Sequence, residues 1–337
     1  MPLMKAIQVD APGGEFRLVT IEIPEPKQNE VLIKVEACGI CHGDALVREG
    51  HYPGLTYPRI PGHEVVGIIK KLGSPSKYWR LGQRVGVGWH GGHCGQCPAC
   101  RKGLFNACEQ AKTTGLTIDG GYAEYMVAGM EALNMIPDEF SPEYAAPLLC
   151  AGRTVFGALK YSSLKGGDFV AIQGFGGLGH LGLQYANKLG CKTAVISRGN
   201  DKKELALKLG AQHYFDATKE NVAEELSKLG GAKIILCTAP SSKAISELVN
   251  GLSANGEIII VSFSNEPLQI SPVALMRGGK SIKGWVGGTP DEAIRFSQIN
   301  KVMPMIEIFP LEQASLAFEK MMNAKVHFRA VLKIGGG

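Results

Sequence analysis

The sequence predicts a two-domain α/β protein that joins a β-rich domain to a doubly wound parallel sheet with helices on both faces. Its 337 residues are enough for two domains. Up to about residue 150, short β-branched runs alternate with Gly- and Pro-rich turns, which is typical of an all-β region. From about Thr154, strand-like and helix-like segments alternate, which indicates a parallel sheet covered by helices.

The expected elements follow these patterns. The β-rich region has strand-like runs at residues 31–37, 65–70 and 84–87. The second region alternates strands at 169–173, 193–197, 233–237 and 257–261 with helices at 179–189 and 202–209. After about residue 289 come a helix at 290–298, a strand at 306–309, an amphipathic helix at 311–322 and a last strand at 329–334. We expect this final segment to return to the first domain.

The composition argues against several classes of partner. Lys and Arg number 36 against 31 Asp and Glu, and no long basic run accompanies the net charge of +5, so no nucleic-acid partner is expected. The sequence has no run of eighteen apolar residues, so no membrane span is expected. The first residues lack a signal-peptide pattern. The expectation is a cytoplasmic protein that acts on a small molecule.

A glycine-rich motif predicts a dinucleotide site of the Rossmann type. The segment GFGGLG follows a strand and opens a helix, which is the context that a G-x-G-x-x-G fingerprint requires. The first Gly makes the turn, the second admits the pyrophosphate, and the third lets helix and strand pack closely, with phosphate at the helix N-terminus. A Gly-rich turn without a ligand is the alternative. The predicted cofactor-binding residues are Gly174, Gly176, Gly177, Leu178 and Gly179.

The residues after the next strand favour NADP(H) over NAD(H). An NAD site usually has Asp or Glu about 20 residues past the glycines, whereas Ser197 and Arg198 stand here. Ser197 has no charge to repel a 2′-phosphate, and Arg198 can pair with one. Lys202 and Lys203 can add positive charge. The alternative interpretation of Arg198 is a solvated loop arginine.

Four of the nine cysteines fall within fifteen residues and predict a structural zinc site. The thiolates of Cys94, Cys97, Cys100 and Cys108 can complete a tetrahedral site. Because protein fills all four positions, no position is left for water. A set of unmetallated thiols is the alternative, although neighbouring thiolates without a cation repel one another and oxidise.

Three separate fragments supply a second set of ligands, namely Cys41, His63 and Cys150. Each alone is weak evidence, because a single His is more often a surface or core residue and Cys150 alone is more often a small buried residue. Together, two thiolates, one imidazole and water make a catalytic zinc site of the Cys2His type.

The combined motifs resemble those of the zinc-containing medium-chain alcohol dehydrogenases, and the resemblance covers essentially the whole chain. Within that superfamily the chain is most similar to the bacterial and yeast-like branch, which includes NADP-linked aldehyde reductases and cinnamyl-alcohol-dehydrogenase-like enzymes. The resemblance implies a GroES-like β-rich catalytic domain at 1–154 and 290–337 that carries both zincs, and a Rossmann domain at 155–289. It is carried by CGICHGD (38–44), GHEVVG (62–67), CGQCPACRKGLFNAC (94–108), DGGYAEY (119–125), CAGRT (150–154), GFGGLG (174–179) and FRAVL (328–332).

The resemblance implies a role for each matching residue of the metal site. Cys41, His63 and Cys150 hold the catalytic zinc, and Glu64 is a neighbouring group or an occasional exchange ligand. Asp44 accepts a hydrogen bond from the ring of His63 and fixes its tautomer.

On the cofactor side, the resemblance places His42 and Arg329 near the pyrophosphate and Thr154 near the nicotinamide. The implied reaction is hydride transfer between a primary or aromatic alcohol and NADP+, with zinc lowering the pKa of the alcohol. An NAD-linked or polyol-type dehydrogenase on the same fold, and an NADP(H)-binding protein with little turnover, are the alternatives. A homo-oligomer, either dimer or tetramer, is expected by analogy.

The proton relay is where the chain departs from the family pattern. Many members have Ser or Thr two residues after the first zinc Cys, and some have a His three residues later, whereas Gly43 and Leu46 stand here. Water, the cofactor ribose and His51 are the candidate substitutes, although a loop histidine is the plainer interpretation of His51. Trp89 and Trp285 are candidates for the substrate pocket and would favour apolar or aromatic carbonyl compounds, unless each is a large core residue.

Overall fold

The computed structural model describes residues 2–335, and the chain divides into two compact units. The first unit comprises the described parts of Met1–Cys150 and Pro304–Gly337, and the second comprises Ala151–Met303. Among the described residues, the helices are all too short or too polar to cross a membrane.

The first unit is mainly β-structure. Its first 150 residues form nine strands and three short helices: β1 (Leu3–Gln8), β2 (Arg17–Glu22), β3 (Glu30–Ile40), α1 (Ala45–Glu49), β4 (Val65–Leu72), β5 (Arg84–Val87), β6 (His90–Gly92), α2 (Pro98–Arg101), β7 (Lys112–Thr113), β8 (Tyr125–Gly129), β9 (Leu133–Met135) and α3 (Pro142–Ala145). Single 3₁₀ turns lie at His42–Asp44, Phe105–Ala107, Met130–Ala132 and Ala146–Leu149.

The second unit alternates helices and strands. Its elements are α4 (Ala151–Lys160), β10 (Phe169–Gln173), α5 (Gly179–Lys188), β11 (Lys192–Ser197), α6 (Lys203–Lys208), β12 (His213–Asp216), α7 (Val222–Lys228), β13 (Ala232–Cys237), α8 (Ser242–Leu248), a 3₁₀ turn at Val249–Gly251, β14 (Leu252–Ile260), α9 (Pro272–Met276), β15 (Ser281–Gly284) and α10 (Pro290–Asn300). The chain ends with β16 (Ile306–Pro310), a 3₁₀ turn at Leu311–Gln313, α11 (Ala314–Met322) and β17 (Arg329–Lys333).

The main sheet of the first unit has the strand order β16-β17-β3-β4-β5-β9, and β8 also pairs with β3. The long strand β3 is almost wholly buried because it has neighbours along both edges and packs into the apolar core of this unit. The C-terminal strand β17 runs antiparallel to β3, with Ala330 opposite Ile40. The chain from Pro304 therefore returns to the first unit, later than the change of pattern near residue 289 predicts.

The sheet of the second unit has six parallel strands in the order β12-β11-β10-β13-β14-β15. This is the doubly wound Rossmann order, and it confirms the predicted fold class. The strands are continuous apolar runs because helices cover both faces of such a sheet. The order reverses between β10 and β13, and the glycine-rich turn follows β10 at this switch point.

The units divide at different residues from those expected. Residues 151–154 and 290–303 are predicted in the β-rich domain, whereas both segments cluster with the Rossmann unit. Helix α10 packs there, with the ring of Phe296 4.8 Å from that of Phe156 and the Ser297 hydroxyl 2.7 Å from the Tyr185 hydroxyl. Residues 151–154 begin α4, which continues to Lys160. Neither the long-range packing nor the helix start is visible in local composition.

Individual elements also differ from the prediction. The segment expected as one helix at 311–322 is a 3₁₀ turn followed by α11. Strand β14 begins at Leu252, five residues before the expected start, and includes Asn255 at a positive φ of 53°. The register between β13 and β14 is irregular near Ala232. The apolar run at 257–261 therefore does not indicate where the strand begins.

Candidate active site and metal centres

The first cluster of potential metal ligands brings together Cys41, His63, Glu64 and Cys150, with one ligand atom from each lying within 4.8 Å of the others. The two sulfur atoms are 3.8 Å apart. In a tetrahedral zinc site with Zn–S of about 2.3 Å, the edge between two sulfurs is about 3.8 Å. The thiols therefore already have the separation that one zinc ion requires.

The sheet explains why these distant residues meet. Strands β3 and β4 are antiparallel, with Cys38 opposite Val65, so the residues after β3 lie beside those before β4. Cys41 follows β3, and His63 precedes β4. Cys150 ends the 3₁₀ turn at Ala146–Leu149 and completes the cluster.

Asp44 orients the ring of His63. Its Oδ1 lies 3.0 Å from Nδ1 of His63, and its Oδ2 accepts hydrogen bonds from the Cys41 N–H and the Tyr122 hydroxyl, both at 2.9 Å. Asp44 and His63 are 2% and 1% exposed. With Nδ1 committed to the carboxylate, Nε2 is the nitrogen left for a metal.

Zinc fits the chemistry of this cluster. Nε2 of His63 and Oε2 of Glu64 are buried atoms without a hydrogen-bond partner among the described residues. Such atoms are rare in folded proteins unless an ion or water satisfies them. Hydrogen bonding from Cys150, together with the nearby His63 and Arg329, holds the pKa of Cys41 well below its usual value despite burial. This favours the thiolate, the form that binds metals.

Glu64 and Arg329 form a buried ion pair beside the cluster, with Nη2 of Arg329 donating to Oε1 of Glu64. Burial raises the pKa of Glu64 to about 7, against the opposing charge of Arg329. A Cβ at Gly39 would overlap the Glu64 carboxylate, so this part of β3 requires glycine. Arg329, which the resemblance implies for the pyrophosphate, is 4% exposed and has Glu64 as its ion-pair partner.

The position expected to carry a relay hydroxyl is tightly enclosed. A Cβ on Gly43 would lie 2.8 Å from Cζ3 of Trp89 and 3.0 Å from Cε1 of His63. Trp89 stands edge-on to the His63 ring, with centroids 4.8 Å apart. The indole therefore occupies space into which a side chain at position 43 would extend.

The second cluster consists of Cys94, Cys97, Cys100 and Cys108. The Cys94 sulfur lies 4.0 Å from that of Cys100 and 3.6 Å from that of Cys108, again close to a tetrahedral edge. Backbone N–H groups of Cys100 and Glu109 lower the pKa of Cys97 to about 6, while burial and the neighbouring thiols raise that of Cys100 to about 12. Four crowded thiols with such opposed preferences are suited to a cation that stabilises all four as thiolates.

The glycine-rich turn has the local geometry that its sequence predicts. Gly174 has φ of +90°, and a Cβ there would lie 2.7 Å from the Cβ of Ala239. A Cβ on Gly176 would meet nothing within 4 Å, so this backbone is open to a ligand. A Cβ on Gly179 would overlap the carbonyl of Gly174. This geometry is compatible with the three glycine roles of a dinucleotide fingerprint, and the binding of a dinucleotide stays a prediction.

The predicted cofactor residues outside the glycines have diverse surroundings. Ser197 ends β11 and is half-buried, and Arg198 is exposed. Nζ of Lys202 donates to the carbonyl of Phe175 at 3.2 Å, which ties the loop after β11 to the glycine-rich turn. His42 is exposed beside Cys41, and Thr154 is half-buried in α4.

The remaining pocket candidates have simple contacts. Nε1 of Trp285 donates to the carbonyl of Gly287 at 3.2 Å, and its ring stacks on Tyr161 with centroids 5.8 Å apart. His51 is 76% exposed in its side chain, and its Nδ1 lies 3.4 Å from the Glu49 carboxylate. These contacts supply no evidence that His51 takes part in a relay.

Sequence reasoning missed two residues that support the sites. Tyr122 donates to Asp44 from 78 residues away, and the motif DGGYAEY was its only signal. Thr238, at the end of β13, donates to the carbonyls of Gln173 and Gly174 at 3.0 and 2.9 Å and so holds the first glycine of the turn.

Comparisons with known proteins agree with both halves of this architecture. Residues 27–138 match the alcohol dehydrogenase GroES-like domain, and residues 177–307 match the zinc-binding dehydrogenase family. The chain is 42% identical to alcohol dehydrogenase notN from Aspergillus sp. over 93% of this chain and 92% of that protein. It is 36% identical to an alcohol dehydrogenase of Geobacillus stearothermophilus over 98% and 99%.

A solved structure gives the same result. The CAD of Helicobacter pylori, crystallised in complex with NADP(H), superimposes with a TM-score of 0.85 at 26% identity, covering 98% of both chains. The family and its enzymatic activity are therefore shown, and the alternative of a binding protein with little turnover is set aside. The chain belongs to the zinc-type medium-chain alcohol dehydrogenases and is an NAD(P)-dependent alcohol dehydrogenase.

Proposed function

We propose that the enzyme interconverts primary or aromatic alcohols and their aldehydes with NADP(H), using one catalytic and one structural zinc. The observation that carries the proposal is the buried Nε2 of His63, which has no hydrogen-bond partner within residues 2–335 and lies beside two thiols at a zinc-like separation. An open Cys2His site suits catalysis, whereas the four-cysteine cluster is closed.

The protein residues would hold the catalytic zinc as follows. Cys41, Cys150 and Nε2 of His63 provide the ligands, and the Asp44 carboxylate keeps the imidazole in the required tautomer. Glu64 pairs with Arg329 through Oε1, which leaves Oε2 as the oxygen that could serve as an occasional exchange ligand. When bound, zinc lowers the pKa of an alcohol and polarises a carbonyl.

The cofactor side would use the residues of the Rossmann unit. The open backbone at Gly176 admits the pyrophosphate, while Arg198 and Lys202 offer positive charge to a 2′-phosphate. His42, Thr154 and Arg329 are proposed, from the family pattern, at the pyrophosphate and nicotinamide ends. The bound nicotinamide supplies the hydride chemistry. The NADP(H) complex of the H. pylori protein supports this choice of cofactor.

Trp89 supports a preference for aromatic or apolar substrates. Its indole stands against the ring of His63, which is the proposed ligand, so a substrate at the metal would lie close to an aromatic wall. Gly43 supplies no hydroxyl, so we assign proton exchange to water or to the cofactor ribose.

A paired assay of the zinc-replete enzyme tests the proposal. Benzaldehyde, cinnamaldehyde and short aliphatic aldehydes are reduced with NADPH and, separately, with NADH, following the absorbance of the reduced nicotinamide. We expect aromatic aldehydes and NADPH to give the higher kcat/KM. Higher kcat/KM with NADH would reject the cofactor preference, and higher kcat/KM with polyols would reject the substrate class.

The zinc assignment needs its own control. Cys150→Ser should abolish turnover and remove about one zinc equivalent, as measured by plasma emission spectrometry. Cys191→Ser is the matched control, because Cys191 is a buried thiol outside both clusters. Equal activity in the two variants would contradict the proposed catalytic site. We further propose that the enzyme is a cytoplasmic homo-oligomer, either a dimer or a tetramer. Light scattering of the purified enzyme would measure its molar mass and so test the oligomeric state.

A further inference from the structure

Two side chains of β12 hydrogen-bond to the turn after β11. Gly199 has φ of +73°, its N–H donates to Oδ1 of Asp216 at 2.8 Å, and its carbonyl accepts from the Tyr214 hydroxyl at 2.8 Å. Both backbone polar groups of one residue are therefore fixed by two side chains of the neighbouring strand. The register is direct, since Ser197 lies opposite Asp216 in the sheet.

The carboxylate of Asp216 is committed to building this turn. It is 2% exposed, and Oδ1 also accepts from the N–H and hydroxyl of Thr218 at 3.0 and 2.7 Å. Hydrogen bonds from Thr218 and Gly199 hold the pKa of Asp216 below its usual value. Oδ1 thus accepts three hydrogen bonds inside the loop, whereas Oδ2 has no hydrogen-bond partner among the described residues and lies 3.9 Å from Nζ of Lys219.

Tyr214 is also an internal group of the loop. Tyr214 is 8% exposed, and its hydroxyl donates to the Gly199 carbonyl. The phenol therefore holds the residue that follows Arg198. On the other side, Lys202 is tied to the carbonyl of Phe175. The backbone around Arg198 is consequently anchored at both ends.

We propose that Tyr214 and Asp216 are positioning residues that set the preference for a 2′-phosphate, because they fix Gly199 and thereby the backbone that presents Arg198 and Lys202. This inference rests on the proposed NADP(H) function. Neither side chain needs to contact the phosphate. A loop without this clamp would lose part of its preorganisation and would bind the 2′-phosphate more weakly.

Tyr214→Phe in the full-length, zinc-loaded enzyme is the direct test. It removes the hydroxyl that holds the Gly199 carbonyl and keeps the aromatic ring. Losing one such hydrogen bond is expected to raise the Kd of 2′,5′-ADP about three- to tenfold, measured by calorimetry. The Kd of 5′-AMP should change less than twofold, and kcat at saturating NADPH should change little while KM for NADPH rises.

Tyr185→Phe is the matched control, because it removes a buried hydroxyl hydrogen bond, to Ser297, in the same unit and away from this turn. It should leave the ratio of the two dissociation constants unchanged. Asp216→Asn keeps an acceptor oxygen for the Gly199 N–H and should retain more of the preference than Asp216→Ala. If Asp216→Ala does not fold, the Tyr214→Phe result decides alone.

The outcomes separate the two proposals. If the wild-type enzyme binds 2′,5′-ADP no more tightly than 5′-AMP, the proposed NADP(H) preference fails, and the positioning role fails with it. If the wild type shows the preference but Tyr214→Phe retains the same ratio as Tyr185→Phe, only the positioning role is overturned.

Discussion

The carboxylate of Asp44 lies 3.0 Å from Nδ1 of His63, and both side chains are fully enclosed by protein. A carboxylate in this position fixes the tautomer of a metal-binding histidine and increases its basicity. The contact also joins the two chain segments after β3 and before β4. The same carboxylate also accepts from the Cys41 N–H and the Tyr122 hydroxyl, so it contacts two proposed zinc ligands, His63 and Cys41.

Replacing Asp44 should therefore weaken zinc binding. We expect Asp44→Asn to lower the zinc affinity about 10- to 100-fold, measured by competition with a chromophoric chelator, with a parallel loss of kcat/KM. Asp138→Asn is the control, since the Asp138 side chain is 93% exposed in the same unit. Unchanged zinc affinity in Asp44→Asn would show that the carboxylate does not orient the ligand.

Restoring a hydroxyl at the relay position should fail unless Trp89 is also changed. Gly43 is not among the residues with positive φ, so the obstacle to serine is steric, with the nearest approach at 2.8 Å to Trp89 and the next at 3.0 Å to the His63 ring. Overpacking of this kind costs about 1–3 kcal/mol, so Gly43→Ser should lower both Tm and kcat/KM. In the Trp89→Leu background the same change should cost less, which a double-mutant cycle on Tm would measure. Additive effects would reject this steric coupling.

The two sites differ in how far sequence alone could predict them. The four-cysteine cluster was identifiable from spacing, because all its ligands lie between residues 94 and 108. Cys41, His63 and Cys150 are each weak signals, since Cys41 and Cys150 are 109 residues apart, and only their combination predicts a Cys2His site. The roles of Tyr122, Asp216 and Tyr214 depend on strand register, so local sequence patterns do not predict them. The Rossmann order followed from local patterns, whereas the placement of α10 depends on tertiary packing.

The four-cysteine cluster should contribute stability without affecting the nucleotide site. Cys108→Ser removes one proposed zinc ligand, and we expect the zinc content to fall from about two equivalents to about one, with a lower Tm. The glycine-rich turn and the proposed 2′-phosphate residues after β11 belong to the other unit, so the Kd of NADPH should stay within about twofold. A variant that keeps two zinc equivalents and the wild-type Tm would contradict a structural metal site.

The stability of the Rossmann unit should depend on Cys191 at alkaline pH. Burial, with a smaller effect of Asp168, raises the pKa of this thiol from 9.0 to about 11. A group with a raised folded pKa stabilises the fold fully below its unfolded pKa and loses that contribution as pH rises through the folded pKa. The Tm advantage of the wild type over Cys191→Ala should therefore be constant below pH 9 and shrink between about pH 9 and 11. Thermal unfolding of both proteins across this pH range measures the difference in Tm. The effects of groups that titrate in both proteins cancel in that difference. A Tm difference independent of pH would mean that the thiol has the same pKa in the folded and unfolded chains.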